Sequence, residues 1–123
     1  MPVTDDLPLS ADTRLLALAA MRCRPGAPRL SDEELRAHLA ALPGWTFANN
    51  RIEKAYAFAN FHETMAFVNA VAHVAHRQDH HPELGVRYDR CSVGYTTHDA
   101  GGVTLNDCIC AAQVERLTAG PSA

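Results

Sequence analysis

The chain has 123 residues, enough for one domain and little more. With 47% hydrophobic residues it can bury a core without disulfides or metal. A formal net charge of -3 with neutral histidines excludes a strong pull towards nucleic acid or anionic lipid, and no apolar run is long enough to span a bilayer.

Residues 1–28 differ from the rest: a polar start, an Ala/Leu stretch and the breaker-rich Arg24-Pro25-Gly26-Ala27-Pro28. They read as a loosely attached extension with one short helix within Thr13 to Met21, followed by a folded domain over 29–119. Met21 reads as a second candidate for the start of translation, since a compact domain is expected without what precedes it. The stretch Leu15 to Ala20 follows acidic residues and is too short for a secretory signal, so the default location is the cytoplasm.

Ser31 with Glu34 three residues on is a capping box, and Leu35, Leu39 and Leu42 then share a helical face. Pro43-Gly44 ends that helix. Trp45 to Ala48 and Arg51 to Phe58 flank Asn49-Asn50, a turn pair, and predict a hairpin. Ile52, Tyr56 and Phe58 share one face of its second strand, with Lys54 the exception. Asn60 and Glu63 repeat the cap pattern, and Phe61, Met65, Val68, Ala72 and Ala75 make an apolar stripe at helical spacing. This helix must end before Pro82. Strands follow over Leu84 to Tyr88 and Cys91 to Thr97. Beyond Gly101-Gly102, Thr104 starts a last helix carrying Leu105, Ile109, Ala112 and Leu117. The order α-β-β-α-β-β-α with short hairpin links predicts an α+β fold, a four-stranded antiparallel sheet with helices packed on one face.

The four cysteines, Cys23, Cys91, Cys108 and Cys110, lack the spacing of a disulfide framework or a zinc ribbon. They read as small buried hydrophobes in a reducing compartment.

Six of the seven histidines fall between His62 and His98. His62, His73 and His76 lie on the central helix, and their spacing lacks the His-x-x-x-His of a helical zinc pair. In His80-His81-Pro82 the proline pushes His81 into an extended conformation just beyond the helix end. His98 lies comparably at a strand end, beside Gly101-Gly102. Imidazole titrates near neutrality, so such a trio suits proton transfer on a neutral molecule, one ring donating while another accepts. Asp107, three residues after Thr104, either completes a helix cap, the favoured reading, or fixes the pocket's histidines.

The run His76-x-x-x-His80-His81-Pro82, then Tyr88, His98 and Asp107, resembles the signature of the pterin-4a-carbinolamine dehydratases. Leu42-Pro43-Gly44-Trp45, the hairpin ending in Phe58 and Thr97-His98 before a glycine turn extend the resemblance over about Leu30 to Leu117. It implies dehydration of 4a-hydroxytetrahydropterin to quinonoid dihydropterin, with His80, His81 and His98 as catalytic residues. Pro82, Thr97 and Asp99 would join these histidines in holding substrate, with His76, Tyr88 and Asp107 in support. It implies no cofactor, no metal, and a homodimer or homotetramer. Two positions depart from the family pattern. His76 stands where an acid is usual, and Leu84 where an aromatic is common, weakening stacking on the pterin by about 1 kcal/mol. The competing class is a non-catalytic binding or assembly protein on the same fold; a histidine-rich metal module is a third.

Overall fold

The computed structural model describes residues 10–118; the polar first residues and residue 119, the end of the expected domain, lie outside them. The elements are α1 (Ala11–Ala19), α2 (Asp32–Leu39), β1 (Thr46–Ala48), β2 (Arg51–Ala57), α3 (Phe61–Gln78), β3 (Glu83–Arg87), β4 (Arg90–Tyr95), a 3-10 turn (His98–Ala100) and α4 (Leu105–Thr118). The strands form one antiparallel sheet in the order β1-β2-β4-β3. Each hairpin is local, and the β2–β4 pairing joins the two.

The local signals act where the sequence puts them. The Ser31 hydroxyl accepts from the Glu34 amide (3.1 Å) while the Glu34 carboxylate accepts from the Ser31 amide (2.9 Å). Asn49 and Asn50 take φ of 55° and 60°, the left-handed pair that matches the twist of a two-residue hairpin. The Asn60 side chain caps α3 by accepting from the Glu63 amide at 2.9 Å.

In the sheet, Ile52, Lys54 and Tyr56 stand opposite Tyr95, Val93 and Cys91. Five of the six are buried, and this face receives the helices. Lys54 belongs to the inward face because it has a partner there. Its Nζ donates to Glu115 of α4 at 2.7 Å and to the Pro43 carbonyl at 2.7 Å. Glu115, itself buried, also accepts from the Trp45 indole at 3.2 Å and from the Tyr56 hydroxyl. Burial and the neighbouring carboxylate both push the Tyr56 phenol well above its ordinary range.

Two stripes assigned from periodicity are corrected. On α3 the buried residues are Thr64, Phe67, Val71, Val74 and Ala75. Phe61 and Ala72 are exposed, while Met65 and Val68 are half-buried. The helix carries two apolar stripes, and the one that meets the sheet and α4 includes Thr64, whose hydroxyl donates to the Tyr88 carbonyl at 2.9 Å. On α4 nearly every residue from Asn106 to Glu115 is buried, because the helix is packed against the sheet, α1 and α3, while Leu117 is exposed.

The segment expected to be loosely attached is packed in its described part. Leu18 of α1 is buried in the core, with Leu15 and Ala19 against it. The Gln113 amide of α4 donates to the Ala19 and Met21 carbonyls at 3.0 and 3.3 Å. Leucines three residues apart on a short helix suffice to dock it, and the breakers after it form a turn rather than a free linker.

Glu115→Gln is expected to cost about 2 kcal/mol in urea unfolding, since it weakens a buried acceptor serving three donors. Lys54→Met combined with it should cost less than the sum of the two single changes.

Candidate active site

The end of α3 places the first histidine. Asp79 caps the helix at φ 50°, ψ 43°, a left-handed conformation that aspartate tolerates better than most residues. The His80 amide then reaches back to the Ala75 carbonyl at 3.2 Å. This reversal turns the His80 ring inward, where it stacks on Tyr95 of β4 with centroids 5.9 Å apart and planes 9° from parallel. The Tyr95 ring is buried, and among the described residues its hydroxyl makes no hydrogen bond.

The start of α4 supplies the group that fixes this ring. Asp107 is fully buried. One carboxylate oxygen, Oδ2, accepts from the Thr104 amide and from the Thr97 hydroxyl, each at 2.8 Å. The other, Oδ1, accepts from His80 Nε2 at 2.6 Å. Asp107 thus closes the first turn of α4 and at the same time accepts a hydrogen bond from a histidine ring. With Nε2 carrying the proton towards Asp107, Nδ1 is the ring nitrogen left for other partners. The hydrogen bond to Asp107 raises the His80 pKa above its ordinary value against the opposing effect of burial.

His80, with a side chain 15% exposed, lines a pocket of about 570 Å³. Its other walls come from α3 and its cap (Gln78, Asp79), the turn after β4 (Thr97, Asp99, Ala100), Asn106 of α4, and the segment from Cys23 to Arg29. Sequence reasoning missed Gln78, Asp79, Asn106 and the 23–29 wall. No local pattern marks them, since the wall is made by tertiary bonds. The Arg24 amide donates to Asn106 Oδ1 (3.0 Å), Asn106 Nδ2 donates to the Arg24 carbonyl (2.7 Å), and the Leu30 amide donates to the Val103 carbonyl (2.9 Å).

Of the residues expected at the site, His80, Thr97, Asp99 and Asp107 meet at this pocket or directly behind it. His81 is exposed next to it and Pro82 is half-buried. His98, also exposed, lines a smaller neighbouring depression of about 210 Å³ with Asn50, Arg51, Glu83 and Gly102. The 3-10 turn sends His98 and Asp99 to these different depressions. His76 is exposed on α3, and among the described residues its side chain makes no hydrogen bond. Tyr88 is not brought to the pocket. It lies at the far end of the β3–β4 hairpin, 64% exposed, with its ring stacked on Phe61. Among the described residues, no three His, Cys, Asp or Glu side chains converge to hold a metal ion, and no helix is long and apolar enough to cross a membrane.

A half-buried imidazole fixed by a buried carboxylate, opening on a pocket of small-molecule size, equips this α+β fold for proton transfer. The profile of the family described as pterin 4 alpha carbinolamine dehydratase matches residues 28–117. A relative from Nitrosospira multiformis named for pterin-4-alpha-carbinolamine dehydratase is 48% identical over 109 residues, 86% of this chain and 96% of its own. Another from Chromobacterium violaceum, named likewise, is 48% identical over 106 residues, 85% of this chain and 98% of its own. A crystal structure from Brucella melitensis, described as a transcriptional coactivator/pterin dehydratase, superposes with a TM-score of 0.70 at 32% identity, covering 72% of this chain and 97% of that one. The chain belongs to the pterin 4 alpha carbinolamine dehydratase family, whose enzymes are hydro-lyases.

Because His80 has a raised pKa in the folded state, its pairing stabilises the fold fully below about pH 6.5, the ordinary histidine value. That stabilisation is lost as pH rises through the raised folded value. Asp107→Asn should therefore destabilise more at pH 6 than at pH 9 in urea unfolding. NMR titration should show the His80 pKa falling to or below its ordinary value.

Proposed function

We propose that this protein dehydrates 4a-hydroxytetrahydrobiopterin to quinonoid dihydrobiopterin and water, recycling the pterin cofactor of aromatic amino-acid hydroxylases. The observation that carries this reading is the His80–Asp107 pair opening on the pocket. In the reaction the bond from carbon 4a to its hydroxyl breaks, and the oxygen leaves as water after taking a proton. A ring nitrogen gives up a proton in the same overall step, so the protein need only supply an acid and a base.

His80 has the means for one of these roles. Asp107 holds Nε2, fixing the tautomer, and stabilises the imidazolium when Nδ1 takes up a proton. His98, which lines the neighbouring depression, is the candidate for the complementary group and has to turn towards the pocket to supply it, and His81 and Pro82 orient the pterin at the mouth. Thr97 and Asp99 add polar contacts at the pocket wall, suited to a flat heterocycle rich in donors and acceptors. His76 occupies the usual place of an acid without a hydrogen bond to His80 among the described residues, and the ring is fixed from α4 by Asp107. Tyr88 contributes to the hairpin end rather than to substrate.

The protein acts as a homodimer or homotetramer. All five residues of the edge strand β3 are exposed, including Leu84 and Val86 on the face that elsewhere meets helices. A second copy would cover that edge and the outer apolar stripe of α3. The name of the Brucella structure gives the other class, a coactivator-like binding protein, a concrete footing. A stoichiometric partner without pterin turnover would favour it.

With carbinolamine generated by a hydroxylase, micromolar protein should accelerate formation of quinonoid dihydropterin. His80→Ala and His98→Ala should each lower the rate by about 10²–10⁴-fold; no acceleration by the wild type, or variants as fast as it, would defeat the reading. In sedimentation, Val86→Lys should shift the protein towards the monomer.

A further inference from the structure

The cysteines do not share one environment. Cys91 and Cys108 are buried. Burial raises the pKa of both, that of Cys108 to about 12, which keeps them as inert thiols. Cys23 is half-buried and lines the pocket beside His80. Its sulfur lies 3.6 Å from that of Cys110, a residue 87 positions away in α4.

This approach is held by its surroundings. The Cys23 amide donates to Gln78 Oε1 at 2.9 Å, and the paired bonds between Arg24 and Asn106 fix the next residue. The two sulfurs also differ in character. The hydrogen bond with Cys110 lowers the Cys23 pKa, helped by the charge of His80 and opposed by burial and Asp107. The Cys110 thiol is pushed far up by that same bond and by burial. One thiol is thus shifted towards the thiolate and belongs to the pocket wall, while its neighbour is held as a thiol behind it.

We propose that Cys23 and Cys110 form a redox-active dithiol in the wall of the histidine pocket, with Cys23 attacking a hydroperoxide and Cys110 resolving the product. The Cys23 thiolate attacks the terminal peroxide oxygen, the O–O bond breaks, and the alkoxide or hydroxide leaves with the proton that Cys23 gave up. Cys23 is oxidised to a sulfenic acid and the hydroperoxide is reduced to an alcohol or water. The Cys110 sulfur then attacks the sulfenic sulfur. An S–S bond forms, the S–O bond breaks, and the hydroxyl leaves as water with the Cys110 proton. In sum, two thiols and one hydroperoxide give a disulfide, an alcohol or water, and a second water.

Closing the bond brings the sulfurs from 3.6 Å to about 2.05 Å. Cys110 is fixed in the buried helix, so the movement falls on Cys23 and draws the pocket wall towards α4.

The test exposes the reduced full-length chain to excess hydrogen peroxide, then alkylates and maps its peptides. Thiols counted in denaturant should fall from four to two per chain. A Cys23–Cys110 linked pair, lighter by two hydrogens, should appear and be lost again on treatment with dithiothreitol, with Cys91 and Cys108 recovered free. Cys110→Ser should leave the sulfenic acid on Cys23, trapped by dimedone as a single adduct. Free Cys23 after peroxide, further oxidation of Cys23 without a link, or disulfides joining other cysteines or separate chains would each overturn the proposal.

Discussion

The structure depends on one buried carboxylate. Asp107 is cut off from solvent, so its charge must be balanced by donors, and it obtains them from three parts of the chain. Thr104 gives a helix-start amide, Thr97 a hydroxyl from beyond β4, and His80 a ring nitrogen from beyond α3. Burying an unpaired carboxylate would cost several kcal/mol, so these three segments meet or the fold is penalised. The histidine is placed as a consequence of neutralising the helix start.

The surrounding architecture follows the same economy of contacts. Two hairpins, each closed locally, pair through β2 and β4, and α4 packs against them with the small residues Cys108, Cys110, Ala111 and Ala112 buried. A helix surface of cysteine and alanine lets the backbone come close to the sheet. At one end α4 presents Asp107 to the pocket, and at the other Glu115 to Trp45, Lys54 and Tyr56. The two buried acids tie opposite ends of a single helix to the elements around it, using different means: an imidazole at one end, an ammonium and two aromatic donors at the other.

Much of this was legible because local chemistry dictated it. Ser31 with Glu34, Asn60 with Glu63, and the Asn49-Asn50 turn each act within a few residues, and the alternation along β4 is unambiguous. Legibility failed where two solutions share a period. The outer stripe of α3 through Phe61, Met65 and Val68 is as regular as the inner one through Thr64, Phe67 and Val71. Only the position of the sheet decides between them. It failed again where a residue's partner is distant, as for Lys54, whose carboxylate lies in the last helix. The candidate site was legible only in part. His80 and Asp107 stood out, but His81, Pro82 and His98 do not line the pocket, and its wall from Cys23 to Arg29 is held by Asn106 and Gln78, which no sequence pattern connects to it.

The tip of the first hairpin shows how one position can answer to two demands. Asn50 satisfies the left-handed turn, and it also reaches across to the loop that carries His98. Its side-chain amide donates to the Gly101 carbonyl at 3.1 Å, and its own carbonyl accepts from the Thr96 hydroxyl at 2.8 Å. Glycine would meet the turn's conformational requirement more easily than asparagine does, but it brings no amide to brace the loop. The choice of residue at a hairpin tip is therefore set by a segment about fifty positions further along the chain, and the turn and the loop are constrained to vary together.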